Sequence, residues 1–255
     1  MSWTKVIAIT GCDSGLGWAI AARAAREGLV TIAELFAVVN NAGVMTIGNY
    51  EWLTPQMIEN MINVNLLGAM RVVTSFLPEL RKNGAIHNFN PRIINVASHC
   101  GLQPLPGFGP YSASKAGLLA WTRALHLEHF REGLSVVSFI PGGFIGSSNI
   151  TNNQVENGNK MLSHLTEEQK SIYEKRITTL NKYLGQASNN TRYDSMSNEV
   201  IIETFVKALT ENKPKQVYKV EPWRYKLYYN LLKMPLPDIM CYWIVKKFLA
   251  FPDSE

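Results

Sequence analysis

The stretch Thr10-Gly11-Cys12-Asp13-Ser14-Gly15-Leu16-Gly17 lies between a strand-like and a helix-like segment. Residues 5–10 form a short β-branched run, typical of a buried parallel strand. Residues 18–27 are rich in alanine and end at Gly28, a residue favoured just after a helix. In that context the glycines let the backbone approach a phosphate, and the helix N-terminus offers free N–H groups. The spacing differs from Gly-x-Gly-x-x-Gly, so an ordinary strand-to-helix turn remains the alternative.

The rest of the chain alternates between strand-like and helix-like segments. Three further apolar runs are predicted strands, at residues 35–43, 92–97 and 134–140. Apolar periodicity predicts helices at residues 54–80, 117–130, 166–184 and 199–210. Each predicted strand ends in polar or glycine residues, and in open α/β sheets the ligand lies at that edge. The pattern predicts an α/β fold with a doubly wound parallel sheet.

A second informative stretch is Tyr111-Ser112-Ala113-Ser114-Lys115. Four residues make about one helical turn, so the phenol and the ammonium would lie on one face of a helix. Because a nearby cation stabilises phenolate, we expect Lys115 to lower the pKa of Tyr111 and make it a general acid and base. Tyr-x-x-x-Lys alone is a weak signal, and an amphipathic helix that merely carries both residues is the alternative.

Composition excludes several classes of protein. The 255 residues are 46% hydrophobic and 18% charged, which suits one α/β domain. The net charge of +5 is scattered and no nucleic-acid-binding motif occurs, so nucleic acid is not expected as a partner. Three cysteines without paired spacing suit a reducing, intracellular compartment, and no apolar run is long enough to predict a membrane span. His126 and His129 lack further ligands in the pattern, so no metal is predicted.

Six motifs occur in an order that carries a family resemblance. They are Thr-Gly-x-x-x-Gly-x-Gly (10–17), Asn-Asn-Ala-Gly (40–43), Asn65 ahead of a glycine, Ser98, Tyr-x-x-x-Lys (111–115) and Pro-Gly (141–142). This set resembles the short-chain dehydrogenase/reductase superfamily over about residues 4–145. Gly-Cys-Asp-Ser-Gly-Leu-Gly, Ile-Pro-Gly-Gly-Phe-Ile and the tail stretches Tyr-Lys-Leu-Tyr-Tyr and Pro-Leu-Pro-Asp are similar to one branch of it. That branch holds the retinol, 17-beta-hydroxysteroid and D-3-hydroxybutyrate dehydrogenases.

The resemblance implies a Rossmann-like fold and a catalytic set, Asn65, Ser98, Tyr111 and Lys115. Tyr111 would pass a proton to or from the substrate oxygen, and Ser98 would hydrogen-bond that oxygen. Lys115 would also hold the nicotinamide ribose, and Asn65 would hold a water in a proton relay to Lys115.

The resemblance also implies a cofactor-binding set. Its members are Thr10, Gly11, Ser14, Gly15, Leu16, Gly17, Asn41, Ala42, Gly43, Tyr111, Lys115, Pro141 and Gly142. The three glycines of the first motif would line the pyrophosphate, Asn41 the adenosine-side ribose region, and Pro141-Gly142 the nicotinamide. Gly146, with Ser147 and Ser148, stands where the family often has a threonine that touches the carboxamide.

The spacing between the first two motifs departs from the family. The family places two further strands with their helices there, whereas only 23 residues separate Gly17 from Asn40 in this chain. We therefore expect these strands to be missing after Val30, and the strand order to shrink from 3-2-1-4-5-6-7 to 1-4-5-6-7. The lost segment would supply the residues that meet the adenosine 2′ position and the adenine.

This loss predicts a topological conflict. The first helix must deliver the chain to the strand that contains Val38 and Val39, opposite to its direction in the full fold. If the helix keeps its face, the crossover is left-handed, against a rule obeyed in about 98% of cases. If it changes face, the glycine turn loses its approach to a phosphate. The first strand also becomes an exposed edge. We expect a chain derived from a dehydrogenase by exon loss or an incomplete gene, which binds dinucleotide poorly.

The last 45 residues combine aromatic and basic side chains. Residues 217–251 hold Tyr218, Trp223, Tyr225, Tyr228, Tyr229, Tyr242, Trp243 and Phe248 among Lys219, Arg224, Lys226, Lys233, Lys246 and Lys247. Such a mixture suits a membrane interface. A lid over the substrate pocket or a contact in a homo-oligomer is the alternative.

These observations predict one dehydrogenase-like domain over residues 1–255. Residues 1–145 would be the cofactor-binding and catalytic core, residues 146–198 the substrate-loop region, and residues 199–255 a helical, membrane-interfacial segment. The predicted function is an oxidoreductase that uses NAD in preference to NADP. It would interconvert a secondary or lipophilic alcohol and its carbonyl: a retinoid, a steroid or a 3-hydroxy acid. The alternative is a catalytically impaired isoform that acts as a binding or membrane-associated protein. The resemblance points to the endoplasmic reticulum or mitochondrial membrane.

Overall fold

Five parallel strands form one sheet in the computed structural model of the protein. The structure describes residues 5–12, 15–26, 34–87, 90–142, 150, 153–187 and 198–251. The strands are β1 (Lys5–Ile9), β2 (Glu34–Asn40), β3 (Arg92–Val96), β4 (Ser135–Pro141) and β5 (Val217–Val220). They lie side by side in chain order, each hydrogen-bonded to the next. The predicted α/β class, parallel sheet and shortened strand order are confirmed.

Helices connect the strands and cover both faces of the sheet. The α-helices of the described residues are α1 (Gly15–Arg26), α2 (Pro55–Ile62), α3 (Ala69–His87), α4 (Gly109–His129), α5 (Gln154–His164), α6 (Glu167–Ala187), α7 (Asn198–Thr210), α8 (Trp223–Leu231) and α9 (Asp238–Leu249). A π-helical segment, Asn63–Gly68, joins α2 to α3, and a 3₁₀ turn, His99–Gly101, follows β3. The helix predicted from residue 18 begins earlier, at Gly15, inside the glycine turn.

Two elements differ from the sequence prediction. Residues 149–198 were expected to hold one helix, but α5 precedes α6 there. Helix α5 lacks an apolar stripe, and its buried Gln154 instead exchanges two hydrogen bonds with the backbone of Ile47, at 3.0 and 2.7 Å. Strand β5 lies in the aromatic and basic tail, where its short alternation of exposed and buried residues escapes pattern recognition.

The sheet separates two apolar cores. The first contains Phe36, Val39, Ile94, Val96, Val137 and Phe139 of the sheet with Leu16 and Ile20 of α1 and Ile201 and Phe205 of α7. The second contains Val38, Ile93 and Val136 of the sheet with Val73 and Leu80 of α3 and Leu125 of α4. Helices α1 and α7 therefore share one face, and α3 and α4 share the other.

This arrangement fixes the relative hand of the crossovers. All four run in the same direction, because the parallel strands follow chain order. The crossovers through α1 and α7 therefore have the opposite hand to those through α3 and α4, and two of the four are left-handed. Such connections occur in about 2% of cases. Helices α1 and α7, whose crossovers share one hand, contact each other on their face of the sheet.

The continuous helix over residues 55–86 is long and apolar enough to cross a membrane by length and composition, although the sequence predicted no span. One face of this helix packs against the sheet, and most of its remaining residues are not buried. Helix α3 packs on β2 and β3, and Leu80 is fully buried in the second core. Thr54 caps the start by accepting a hydrogen bond from the backbone N–H of Met57 at 3.2 Å.

The position of α1 can be tested with Ile20→Ala. Ile20 is 2% exposed in the first core, and removing a buried isoleucine side chain costs about 2–5 kcal/mol of unfolding free energy. Ile86→Ala, in which the side chain is 61% exposed, is the matched control and should change stability by about 0.5 kcal/mol or less. Urea unfolding measures both. Equal effects of the two substitutions would show that α1 does not pack in this core.

Candidate active site

The turns that follow β1 and β2 are tied together at the carboxyl edge of the sheet. The hydroxyl oxygen of Thr10 accepts hydrogen bonds from the backbone N–H groups of Asn41 and Ala42, each at 3.1 Å. The side-chain amide of Asn41 donates to the backbone oxygens of Thr10 at 3.2 Å and Gly11 at 2.9 Å. Asn41, which the resemblance assigned to the ribose, therefore holds the glycine turn in place.

Two glycines of the first motif are required by this close approach. Gly11 has φ of +62°, and a Cβ there would lie 2.8 Å from Cα of Ala42. A Cβ on Gly17 would overlap the backbone oxygen of Gly11 and Nδ2 of Asn41. Both contacts are shorter than real Cβ atoms make, so larger residues would separate the two turns.

A cavity of about 490 Å³ opens beside these turns. The chain leaves β1 toward the α1 face and leaves β2 toward the α3 face, which opens a crevice between their carboxyl ends. Ligands of open α/β sheets bind in such crevices. Here the crevice persists although the strand order never reverses.

Lys115 lies in α4 and is the one charged side chain among the described residues that line this cavity. It is 3% exposed, and its Nζ donates a hydrogen bond to the backbone oxygen of Val96 at 2.8 Å. A Cβ built on Gly43 would lie 3.6 Å from this Nζ, so the absent side chain leaves room beside the ammonium. Burial lowers the pKa of Lys115 to about 8.

Tyr111, one turn earlier in α4, is also buried and lines the cavity. Burial raises the pKa of its phenol, and a hydrogen bond with Ser98 opposes this only in part. The expectation that Lys115 lowers the pKa of Tyr111 is therefore wrong for this structure. Loss of hydration outweighs the nearby charge, and the ammonium is bonded to Val96.

Asn65 lies in the π-helical segment, a distortion that often marks functional positions. Its Oδ1 accepts from the backbone N–H of Val44 at 2.8 Å, and its Nδ2 donates to the Val44 oxygen at 2.9 Å and to Ser114 Oγ at 3.0 Å. Ser114 in turn donates to the backbone oxygen of Tyr111 at 2.7 Å. Both amide hydrogens are thus committed to fixing the segment after β2 against α4.

Ser98 follows β3 and caps the 3₁₀ turn, accepting a hydrogen bond from the backbone N–H of Cys100 at 3.2 Å. This contact and the bond with Tyr111 hold the hydroxyl at the cavity wall. Cys100 beside it is a buried thiol whose pKa burial raises to about 11, so it remains protonated near neutral pH.

The structure brings most of the predicted site residues to one cavity. Its lining includes Gly11, Gly15, Leu16, Asn41, Ala42, Gly43, Ser98, Tyr111, Lys115, Pro141 and Gly142. Thr10, Gly17 and Asn65 lie behind the lining and support it. Ser14, Val30, Gly146, Ser147 and Ser148 lie outside the described residues. No group of His, Cys, Asp or Glu suited to a metal ion occurs among the residues that the structure describes.

The opposite wall of the cavity was not among the predicted site residues, although a lid over the substrate pocket was one alternative for the aromatic tail. Tyr225 and Tyr229 of α8 and Phe248 and Leu249 of α9 complete the lining. The i, i+4 spacing of the two tyrosines was a usable signal, since such residues share one helical face. His99 also lies in the lining and is 1% exposed.

The model of the short chain dehydrogenase family matches residues 30–159, just over half of the chain. The chain belongs to the short-chain dehydrogenase family. The predicted assignment to an oxidoreductase family acting on CH–OH donors is confirmed. The match begins after the glycine turn, on the far side of the expected deletion.

Named relatives agree with the predicted branch. Retinol dehydrogenase 7 of Mus musculus is 29% identical, over 94% of this chain and 88% of that protein. Mitochondrial D-beta-hydroxybutyrate dehydrogenase of Bos taurus is 24% identical, over 83% of this chain and 75% of that protein. A solved structure of 3-ketoacyl-(acyl-carrier-protein) reductase from Brucella melitensis, complexed with NADH, has the same fold. Its TM-score is 0.60 at 18% identity, with 84% of this chain and 95% of that chain covered.

The alignment with the mouse protein also supports a lost segment. The alignment is 292 positions long and includes 94% of this chain, which is about 240 residues. About 50 positions of the alignment therefore have no residue in this chain. Since β1 pairs directly with β2, a loss between these strands accounts for a gap of this size.

The burial of Lys115 predicts a pH dependence of stability. Its pKa is about 8 in the folded chain, against about 10.4 when unfolded. Between these values the unfolded chain holds a proton that the folded chain has released, so this group adds stability as pH rises, by at most about 3 kcal/mol. Cys100 and Tyr111, whose pKa values are raised, act in the opposite direction.

The quantity to measure is therefore the unfolding free energy of the unmodified chain minus that of Lys115→Met, by urea unfolding at pH 7 to 10. We expect this difference to increase from pH 8 to pH 10. Lys82→Met, at an exposed lysine, should give a constant difference over the same range. A constant difference for Lys115→Met would contradict the assignment of a buried, titrating ammonium.

Proposed function

We propose that the chain is an NAD(P)-dependent oxidoreductase that interconverts a secondary or lipophilic alcohol and its carbonyl. The observation that carries this proposal is the convergence of Ser98, Tyr111 and Lys115 with the glycine turn and Pro141-Gly142 on one cavity. The retinol and hydroxybutyrate dehydrogenases among its relatives support a retinoid, a steroid or a 3-hydroxy acid as the substrate class.

The proton step is assigned to Tyr111. Because burial raises its pKa, the phenol is protonated near neutral pH and suited to donate a proton to a carbonyl oxygen. Ser98, hydrogen-bonded to Tyr111, would donate to the same oxygen and orient it. Lys115 would place a positive charge close to the phenol and stabilise the phenolate that proton transfer leaves. In the reverse direction Tyr111 would accept the alcohol proton.

The nicotinamide half of a dinucleotide fits the residues present. A nicotinamide cofactor supplies or accepts the hydride when it is bound. Gly11 and Gly15 adopt positive φ at the start of α1, so backbone N–H groups are available to a phosphate. The space beside Gly43 adjoins both Lys115 Nζ and Asn65 Oδ1, which suits a ribose hydroxyl. Pro141 and Gly142 would contact the nicotinamide.

The adenosine half fits less well. Beyond β1, where the family has two further strands, the described sheet ends. Asn41, assigned to the ribose by resemblance, is committed to Thr10 and Gly11. These observations favour weak dinucleotide binding and support the alternative, a catalytically impaired isoform that serves as a binding protein. The preference for NAD over NADP rests on the branch alone.

Tyr111→Phe tests the proposed chemistry. Loss of a general acid lowers kcat/KM by about 10²–10⁴-fold, and removal of one hydroxyl should leave the fold intact. Carbonyl reduction is measured by NADH oxidation with ketones of the three substrate classes, and circular dichroism reports the fold. Tyr50→Phe, at an exposed tyrosine, is the matched control and should keep full activity. Undiminished reduction by Tyr111→Phe would refute the assigned mechanism.

We further propose that α8 and α9 dock on an anionic lipid surface. The outer surface of these helices exposes Trp223, Leu227, Met234, Ile239, Met240, Tyr242 and Trp243. Residues 222–251 carry five Lys or Arg and one Asp, so their charge complements anionic headgroups. The inner surface of the same helices lines the cavity, which would bring a lipophilic substrate from the bilayer to the site.

Vesicle binding tests this docking. The chain should sediment with phosphatidylcholine vesicles that contain phosphatidylserine, and less with phosphatidylcholine alone or at high salt. Trp243→Ser combined with Ile239→Ser should weaken binding about tenfold by removing apolar contact. Trp18→Ser in α1, an equally exposed tryptophan, is the matched control. A homo-oligomer contact would be indicated instead if the double variant changed the sedimentation coefficient but not vesicle binding.

A further inference from the structure

His99 is a buried polar side chain without a hydrogen-bond partner among the described residues. Neither Nδ1 nor Nε2 of its ring makes a hydrogen bond of normal geometry, although the residue is only 1% exposed. Nε2 has the carboxylate of Glu221 at 3.3 Å, and Nδ1 is left without a polar partner in the described part of the chain. Most buried polar groups in proteins are paired, and each one left unpaired costs about 1–3 kcal/mol. Such a group in a cavity lining is therefore suited to meet a polar group of a ligand.

The position of the ring places it at the substrate end of the cavity. His99 follows Ser98 directly and starts the 3₁₀ turn after β3. Its ring lies edge-on to those of Tyr225 and Tyr229, with centroids 5.4 and 5.0 Å away. A Cβ on Gly142 would lie 2.8 Å from Cδ2 of His99, so the ring also abuts the backbone that follows β4.

Glu221 determines which ring nitrogen carries the proton. Its Oε2 lies 3.3 Å from Nε2 of His99 and 3.2 Å from Nζ of Lys219. Burial lowers the pKa of His99 to about 4, with Lys219 and Lys233 acting in the same sense and Glu221 opposing them, so the imidazole is neutral near pH 7. A carboxylate close to Nε2 favours the proton on that nitrogen, which leaves Nδ1 as a hydrogen-bond acceptor.

His99 and Glu221 together favour some functional groups of a ligand over others. An acceptor nitrogen backed by a carboxylate binds a neutral donor such as a hydroxyl. It offers nothing to a second carbonyl, and Glu221 would repel a carboxylate. The lining is otherwise largely apolar, with Leu105, Phe108 and Phe248. Its other polar groups include hydroxyls, the Cys100 thiol and the ammonium of Lys115, and none of these is a charged or imidazole acceptor.

Building on the proposed function, we infer that His99 is a specificity-determining residue that accepts a hydrogen bond from a second hydroxyl of the substrate. The preferred ligand is then an apolar diol, in which one hydroxyl carbon reacts at Tyr111 and the other hydroxyl meets His99. This excludes alcohols with a single oxygen and hydroxy acids as the best substrates, and favours hydroxylated polycyclic alcohols such as steroid diols.

The test uses a panel of ligands on one rigid hydrocarbon skeleton. One has a single secondary alcohol, several add a second hydroxyl at increasing distances, and one carries a carboxylate instead. Dissociation constants are measured by tryptophan fluorescence and kcat/KM with NAD. We expect at least one diol to bind about tenfold more tightly than the mono-alcohol, and the hydroxy acid to bind more weakly than both.

Variants assign this preference to His99. His99→Phe keeps a ring but removes both nitrogens. The ratio of the dissociation constant of the mono-alcohol to that of the best diol should therefore fall to about one. Glu221→Gln should reduce the ratio, because the proton is no longer held on Nε2. His164→Phe, at an exposed histidine, should leave it unchanged.

The outcomes separate this inference from the proposed function. Equal binding of diols and mono-alcohol to the unmodified chain, or a preference that survives His99→Phe, would overturn the role of His99 even if both alcohols are oxidised. A diol preference that depends on His99 without any turnover would uphold it and refute the proposed activity.

Discussion

The hydrogen bonds between Thr10 and the Asn41–Ala42 backbone are the constraint on which the rest of the structure depends. They hold the turn after β1 against the turn after β2, although the chain lacks the two strands that the family places between β1 and β2 in sequence. Because the chain passes from β1 to β2 through α1, this crossover has the opposite hand to those through α3 and α4. The contact with α7 stabilises that crossing and keeps Gly11, Gly15 and Leu16 at the cavity.

Loss of hydration on burial is the largest influence on the pKa values of the titratable groups in the cavity. Burial, and not the neighbouring charge, sets the direction of the pKa of Tyr111, Lys115 and Cys100. Polar groups at the proposed catalytic end are satisfied inside the protein: Lys115 by Val96, and Asn65 by Val44 and Ser114. The ring nitrogens of His99 are among the buried polar atoms of the described residues that are left without a hydrogen bond, and that contrast is why a ligand group is assigned to His99.

The sequence predicted the strands, the shortened order and most residues of the cavity because these depend on short-range patterns. Tyr111 and Lys115 share a face through helical spacing, and parallel strands bring their carboxyl ends together. It could not predict that Asn41 is committed to the glycine turn or that burial raises the pKa of Tyr111. Both depend on how tightly separate segments pack. Helix α5 and strand β5 were missed since their buried contacts, Gln154 with Ile47 and β5 with β4, are long-range.

We propose that the residues for proton transfer and nicotinamide binding are all present, whereas part of the adenosine-binding region is missing. Titration of the chain with NADH and with reduced nicotinamide mononucleotide, by tryptophan fluorescence and calorimetry, tests this proposal most directly. Since the adenosine half finds few partners, the two dissociation constants should agree within about threefold, which is less than 1 kcal/mol. Binding of NADH a hundredfold more tightly than the mononucleotide would contradict the account.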